Sequence, residues 1–154
     1  MVLAALKFPT PDDTMEFGRV LGRALRAGDL VLLAGPLGAG KTTLTRGIAD
    51  GLGVSGRVSS PTFVLARVHP AGASGVALVH VDAYRLGGDL TQLDDLDLDT
   101  DLERSAIVVE WGEGAAERLS DDYLVVRLAR ADDDVRTVTL EPHGTWTTRV
   151  PLPA

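Results

Sequence analysis

The stretch Leu30–Thr43, LVLLAGPLGAGKTT, limits the folds open to this chain more than any other part of it. Leu30–Gly35 is a continuous apolar run of the kind that a parallel sheet buries on both faces. It leads into Gly35–Thr43, which fits G-x-x-x-x-G-K-S/T with Gly35, Gly40, Lys41 and Thr42 in the required places. Glycines let the backbone curl so that several N–H groups point inward at a helix N-terminus, where the helix dipole also favours anions. The segment therefore predicts a phosphate cradle: Gly38, Ala39, Gly40, Lys41, Thr42 and Thr43 bind the nucleotide, Lys41 charges the β and γ phosphates, and the Thr42 hydroxyl meets Mg²⁺. A metabolite kinase, a GTP switch and an ATPase that times another protein's reaction all use such a cradle.

The flanking chain supplies the strand–loop–helix context that the motif requires. Residues 2–8 read as a short strand, and Thr10–Asp13 offers an N-cap Thr, Pro at the first helical position and Asp three residues after the cap. Met15, Val20, Leu21, Ala24 and Leu25 then recur near a 3.6-residue period until Gly28 ends the run. A second helix is expected from Lys41 to about Leu52, burying Leu44, Ile48 and Leu52. Phe63–His69 and Val76–Val81 read as a hairpin joined by PAGASG, and Ile107–Val109 as another buried strand. A short helix is expected over 113–119, and Tyr123–Ala129 with Val135–Glu141 as a second hairpin or sheet edge. The fold class is α/β: a P-loop nucleotide-binding three-layer sandwich with a mostly parallel central sheet and antiparallel hairpin strands at its edge. Residues 1–142 read as one domain and residues 143–154, which lack periodicity and carry two late prolines, as an extended C-terminal tail.

A magnesium nucleotide site needs carboxylates, and two end apolar strands: Asp82 in LVHVDAYRL and Glu110 in IVVEWGE. Ligands collect at the carboxyl ends of parallel strands, so both acids are candidate metal and catalytic residues. One orients the metal, directly or through water, and the other polarises the attacking water; the sequence does not assign which. Thr62, in SSPTF between the P-loop helix and the next strand, is the candidate sensor of the γ-phosphate. Trp111 packs either in the core or near the nucleotide. His69, His80 and His143 have no mutual metal-ligand spacing.

The chain of 154 residues is 45% hydrophobic, enough for one core without staples, and its lack of cysteine removes disulfides and thiolate chemistry. The N-terminus has no basic region before its apolar run, and no apolar stretch reaches the ~18 residues of a membrane span, so a soluble cytoplasmic protein with no membrane contact is expected. A net charge of −7 argues against direct grip on nucleic acid. The excess acid is local: Asp89–Glu103 carries seven acidic and no basic residues, and outside it the two signs balance at 15 each. That run reads mainly as a solvated face, with a docking surface for a basic partner as the other reading. A small-molecule kinase is disfavoured because its lid candidate, 87–104, is densely acidic. A GTP switch is disfavoured because no N-K-x-D or T-K-x-D tetrapeptide occurs. A nucleotide-bound scaffold without turnover is the remaining rival.

Taken together and in order, GPLGAGKTT, SPTF, HVDAYRL and VVEWGE resemble the bacterial TsaE family, the ATPase component of tRNA threonylcarbamoyladenosine biosynthesis. The resemblance spans Gly35–Glu113 and implies a small α/β ATPase whose cofactors are ATP and Mg²⁺ and whose partners are TsaB-like and TsaD-like proteins. The TsaD-like partner transfers threonylcarbamoyl, tRNA is met only through that partner, and hydrolysis resets the complex between rounds. It further implies that Lys41 and Thr42 are the phosphate and metal residues, Thr62 the switch-like residue, Asp82 and Glu110 the essential acids, and Trp111 a functional residue.

Overall fold

The computed structural model describes residues 6–35, 40–54, 66–72, 75–82, 105–110, 122–130 and 135–149. The elements are β1 (Leu6–Phe8), α1 (Pro11–Ala24), β2 (Leu30–Ala34), α2 (Lys41–Leu52), β3 (Ala66–His69), β4 (Ala77–Asp82), β5 (Ser105–Glu110), β6 (Tyr123–Arg130), β7 (Arg136–His143) and a 3₁₀ turn at Gly144–Thr148. The strands form one sheet in the order β1-β7-β6-β2-β5-β4-β3. Its centre, β6-β2-β5-β4, is parallel, while β3 pairs antiparallel with β4, and β7 with β6 and β1. This is the expected mostly parallel sheet with antiparallel hairpins at its edges. The expected helix over 113–119 and the acidic run 89–103 lie outside the described residues.

Every residue of β2 and β5 is buried, as strands covered on both faces require. Side chains alternate along a strand, so Val31 and Leu33 face one way while Leu30 and Leu32 face the other. The first face joins Val108, Leu124, Val126 and Leu128 in a core with Leu21 and Leu25 of α1 and Leu44, Ile48 and Leu52 of α2. At ~1.5–3 kcal/mol for each fully buried aliphatic side chain, these contacts hold α2 in place. The opposite face is equally dry: Leu30, Leu32, Val79, Val81, Ile107 and Val109 are all buried. On the hairpin side, β7 alternates half-buried and buried residues, the pattern of a strand with one wet face.

Helix α1 starts where its chemistry says it should. Thr10 accepts from the Asp13 amide at 3.2 Å, and Asp13 Oδ2 accepts from the Thr10 amide at 3.0 Å, a complete capping box. Its buried face is Thr14, Phe17, Gly18, Leu21 and Gly22, with Leu25 just beyond, whereas Met15, Val20 and Ala24 are only half-buried. The stripe is rotated from the one that apolarity alone predicts because glycines form its centre. A Cβ on Gly22 would meet Ile48 O at 2.2 Å, and one on Gly47 would meet Met15 O at 2.2 Å. The two backbones touch, so α1 is registered directly on the P-loop helix.

Residues 143–149 differ from the extended tail expected over 143–154, while 150–154 lie outside the described residues. Gly144–Thr148 forms the 3₁₀ turn, and Trp146 within it is 1% exposed in the main core. Arg149 stacks its guanidinium 3.7 Å from the Trp146 ring and donates to both oxygens of Asp29, at 2.7 and 2.9 Å, and to the Ala24 carbonyl at 2.9 Å. A single tryptophan carries enough apolar area to pull a short aperiodic segment onto the body. Among the described residues no helix is long and apolar enough to cross a membrane.

Candidate functional site

β2 ends at Ala34, Gly35 turns away with φ +145°, and Gly40 (φ +105°) caps the start of α2. Gly38 and Ala39 lie outside the described residues. Positive φ at Gly40 is a conformation that a side chain rarely tolerates, which explains why glycine stands before the lysine. Lys41, the first helical residue, is 5% exposed and its Nζ donates to the Gly35 carbonyl at 2.7 Å. The lysine thus reaches back over the loop and ties its two ends together. Thr42 and Thr43 follow in the first turn and are half-buried.

Glu110 ends β5, the strand beside β2, in register with Leu33 and therefore two residues from Gly35. It is 4% exposed, and its Oε2 accepts from Nε2 of His80 at 2.5 Å. Among the described residues that is the only hydrogen bond its carboxylate makes. Asp82 ends β4 and pairs in register with Glu110. Parallel pairing thus brings the two predicted acids and the P-loop to one edge of the sheet. Thr62 and Trp111 lie outside the described residues.

A cleft of about 220 Å³ opens beside the N-terminus of α2, with Gly40 and Thr43 on one wall. Pro9, Pro11 and Thr14 from the start of α1 form another wall, and Arg130 and Arg136 from the β6–β7 hairpin a third. Thr14 is 1% exposed, and among the described residues its hydroxyl has no hydrogen-bond partner. Sequence reasoning missed this cleft because its walls come from three distant parts of the chain. A threonine inside an otherwise apolar helix face was the available signal.

The family model for "Threonylcarbamoyl adenosine biosynthesis protein TsaE" matches residues 8–138. This chain belongs to the TsaE family. Among curated TsaE proteins, that of Streptomyces coelicolor is 59% identical over 138 residues, covering 86% of this chain and 93% of the relative. That of Mycobacterium bovis is 55% identical over 138 residues, covering 85% and 82%. The crystal structure of Bacillus subtilis YdiB superposes with a TM-score of 0.74 at 30% identity, covering 95% of this chain and 90% of that one. The TsaE match takes in the glycine loop, both strand-end acids and most of the β6–β7 hairpin, so the site lies within the family's shared core.

Within this TsaE chain, the expected residues Gly40, Lys41, Thr42, Thr43 and Glu110 lie at one edge of the sheet, together with the backbone of Asp82. His80 joins them although its spacing from the other histidines gave no sign of it. Its position two residues before Asp82 on the same strand, and so two register positions below Glu110 on the same face, is what places it.

Proposed function

We propose that this TsaE protein is the Mg²⁺-dependent, ATP-binding and ATP-hydrolysing subunit of the tRNA threonylcarbamoyladenosine modification system. The observation that carries the reading is that buried Lys41 is tied to Gly35 just past the end of β2, while buried Glu110 ends β5, the strand paired with β2. A cation and an acid are held dry at the mouth of a glycine loop, with one carboxylate oxygen uncommitted among the described residues. That donor set fits a hard cation shared with phosphate oxygens better than an all-protein metal cage.

Lys41 Nζ, which donates to the Gly35 carbonyl, would turn to the β and γ phosphates of a nucleotide held by Gly38, Ala39, Gly40, Lys41, Thr42 and Thr43. The Thr42 hydroxyl and Glu110 hold the metal, with Asp82 holding it too or orienting the attacking water. Bound magnesium supplies charge neutralisation on the β and γ phosphate oxygens. Thr62 senses the γ-phosphate and Trp111 packs against the nucleotide. The cleft at Gly40 and Thr43 receives the nucleoside, with Pro9 and Pro11 offering flat apolar walls. Hydrolysis resets a partner transferase: TsaB-like and TsaD-like proteins are the partners, in the cytoplasm, and tRNA is met through them. The net charge of −7 supports that division of labour.

The test is phosphate release from ATP and from GTP by the purified protein, alone and with the two partners, beside Lys41→Ala and Glu110→Ala. Slow release from ATP, stimulated by the partners and lost in both variants, is expected. A preference for GTP, or phosphate transferred to a small metabolite, would overturn the reading, and unstimulated release would remove its resetting role.

A further inference from the structure

We infer that His80 is a positioning residue for Glu110: it fixes the carboxylate through Oε2 and so leaves Oε1 as the oxygen offered to the metal. The inference rests on the proposed magnesium–ATP reading and adds to it a residue that carries no assigned role. His80 pairs with Val108 across β4 and β5, so Glu110, two residues further along β5, is the next residue on the same face. From there the imidazole spans to Oε2 at 2.5 Å, with His80 fully buried and Glu110 4% exposed. A carboxylate accepts only, so Nε2 carries the hydrogen in this contact.

Packing does not explain the histidine. Its Nδ1 is buried with no hydrogen-bond partner among the described residues, and an unsatisfied buried nitrogen typically costs about 1–3 kcal/mol. Leu78 and Val108 beside it belong to the apolar core, where an aliphatic side chain would carry no such cost. What histidine provides, and leucine does not, is a rigid donor aimed at one oxygen of Glu110. A carboxylate held by one oxygen keeps its other lone pairs pointed in a fixed direction, and outer-shell partners of this kind typically change metal affinity or activity by about 10–100-fold when removed.

The test compares His80→Gln, whose amide nitrogen can reproduce the Nε2 donor, with His80→Asn, whose amide is too short to reach Glu110. ATP affinity is measured for each with magnesium and with EDTA, and thermal stability is measured without nucleotide. In His80→Asn the magnesium-dependent part of the affinity should fall about 10-fold or more, with EDTA affinity unchanged, and His80→Gln should restore most of it. The double variant His80→Asn/Glu110→Gln should be no worse than Glu110→Gln alone. Equal behaviour of the two His80 variants, or losses that simply add, would overturn the positioning role while leaving the magnesium–ATP reading intact. If Glu110→Gln itself keeps its full magnesium dependence, both that reading of Glu110 and the role of His80 fall together. Should His80→Asn lose its thermal transition, His80→Leu against His80→Gln makes the same comparison.

Discussion

Asp29 and Glu110 are two nearly buried carboxylates at opposite ends of the same parallel strand pair, and they are satisfied in opposite ways. Asp29, just before β2, has both oxygens on the Arg149 guanidinium and accepts the Arg26 amide at 2.7 Å besides. Glu110, at the far end of β5, has one bond among the described residues, from His80. A carboxylate with every strong partner in place has nothing left to offer a ligand and serves to anchor the chain. One kept dry with an oxygen in reserve is costly unless something else completes it. On the proposed function the two ends of the sheet separate stability from chemistry, and substitution can test that separation.

The largest effect should come from Glu110→Gln. The change keeps size and a donor-acceptor group but removes the charge, so phosphate release should fall by about 100-fold or more, several kcal/mol of barrier, while urea unfolding shifts little. Release within a few-fold of the unmodified protein would break the functional side of the comparison. Next, Trp146→Ala empties a fully buried site and should cost about 3–5 kcal/mol in urea unfolding, with ATP affinity preserved wherever the protein remains folded. A selective loss of affinity would show that the two ends are coupled. Asp29→Asn breaks the bidentate pair and should cost about 1–3 kcal/mol, again with phosphate release unchanged. The smallest effect belongs to Glu16, an exposed acid whose carboxyl is lowered below its ordinary 4.5, chiefly by the Arg19 hydrogen bond with Arg23 adding to it. A lowered folded value means that its contribution is present above 4.5 and is lost as pH falls through the folded value. Glu16→Gln should therefore lower the thermal midpoint marginally at neutral pH and not at all in acid, since exposed pairs contribute little. A larger shift would mean that the α1–α2 contact depends on surface charge and not on its glycines.

Much of this architecture was readable before any coordinate. Lys41–Leu52 is helical with the three expected residues buried, because a helix that follows a glycine loop and buries one stripe leaves a strong periodic trace. The Thr10–Asp13 cap and both hairpins are local signals and appear as expected. The α1 face was misjudged because its closest contacts are made by Gly18 and Gly22, which no hydrophobicity pattern marks as core. The burial of Trp146 was not legible for a related reason: one large side chain in an aperiodic stretch has no period to reveal it.

The local chemistry of the chain specified its elements, its glycine loop and the two acids that close their strands, since each is a property of neighbouring residues. Folding in three dimensions decided which distant groups meet. Parallel pairing set His80 two register positions from Glu110, the glycine contact of α1 with α2 brought Thr14 beside Gly40, and Arg149 closed on Asp29 across 120 positions. Such encounters depend on strand order, register and the distance of closest helix approach, which arise from the packing of the whole core and leave no mark within any one stretch of sequence.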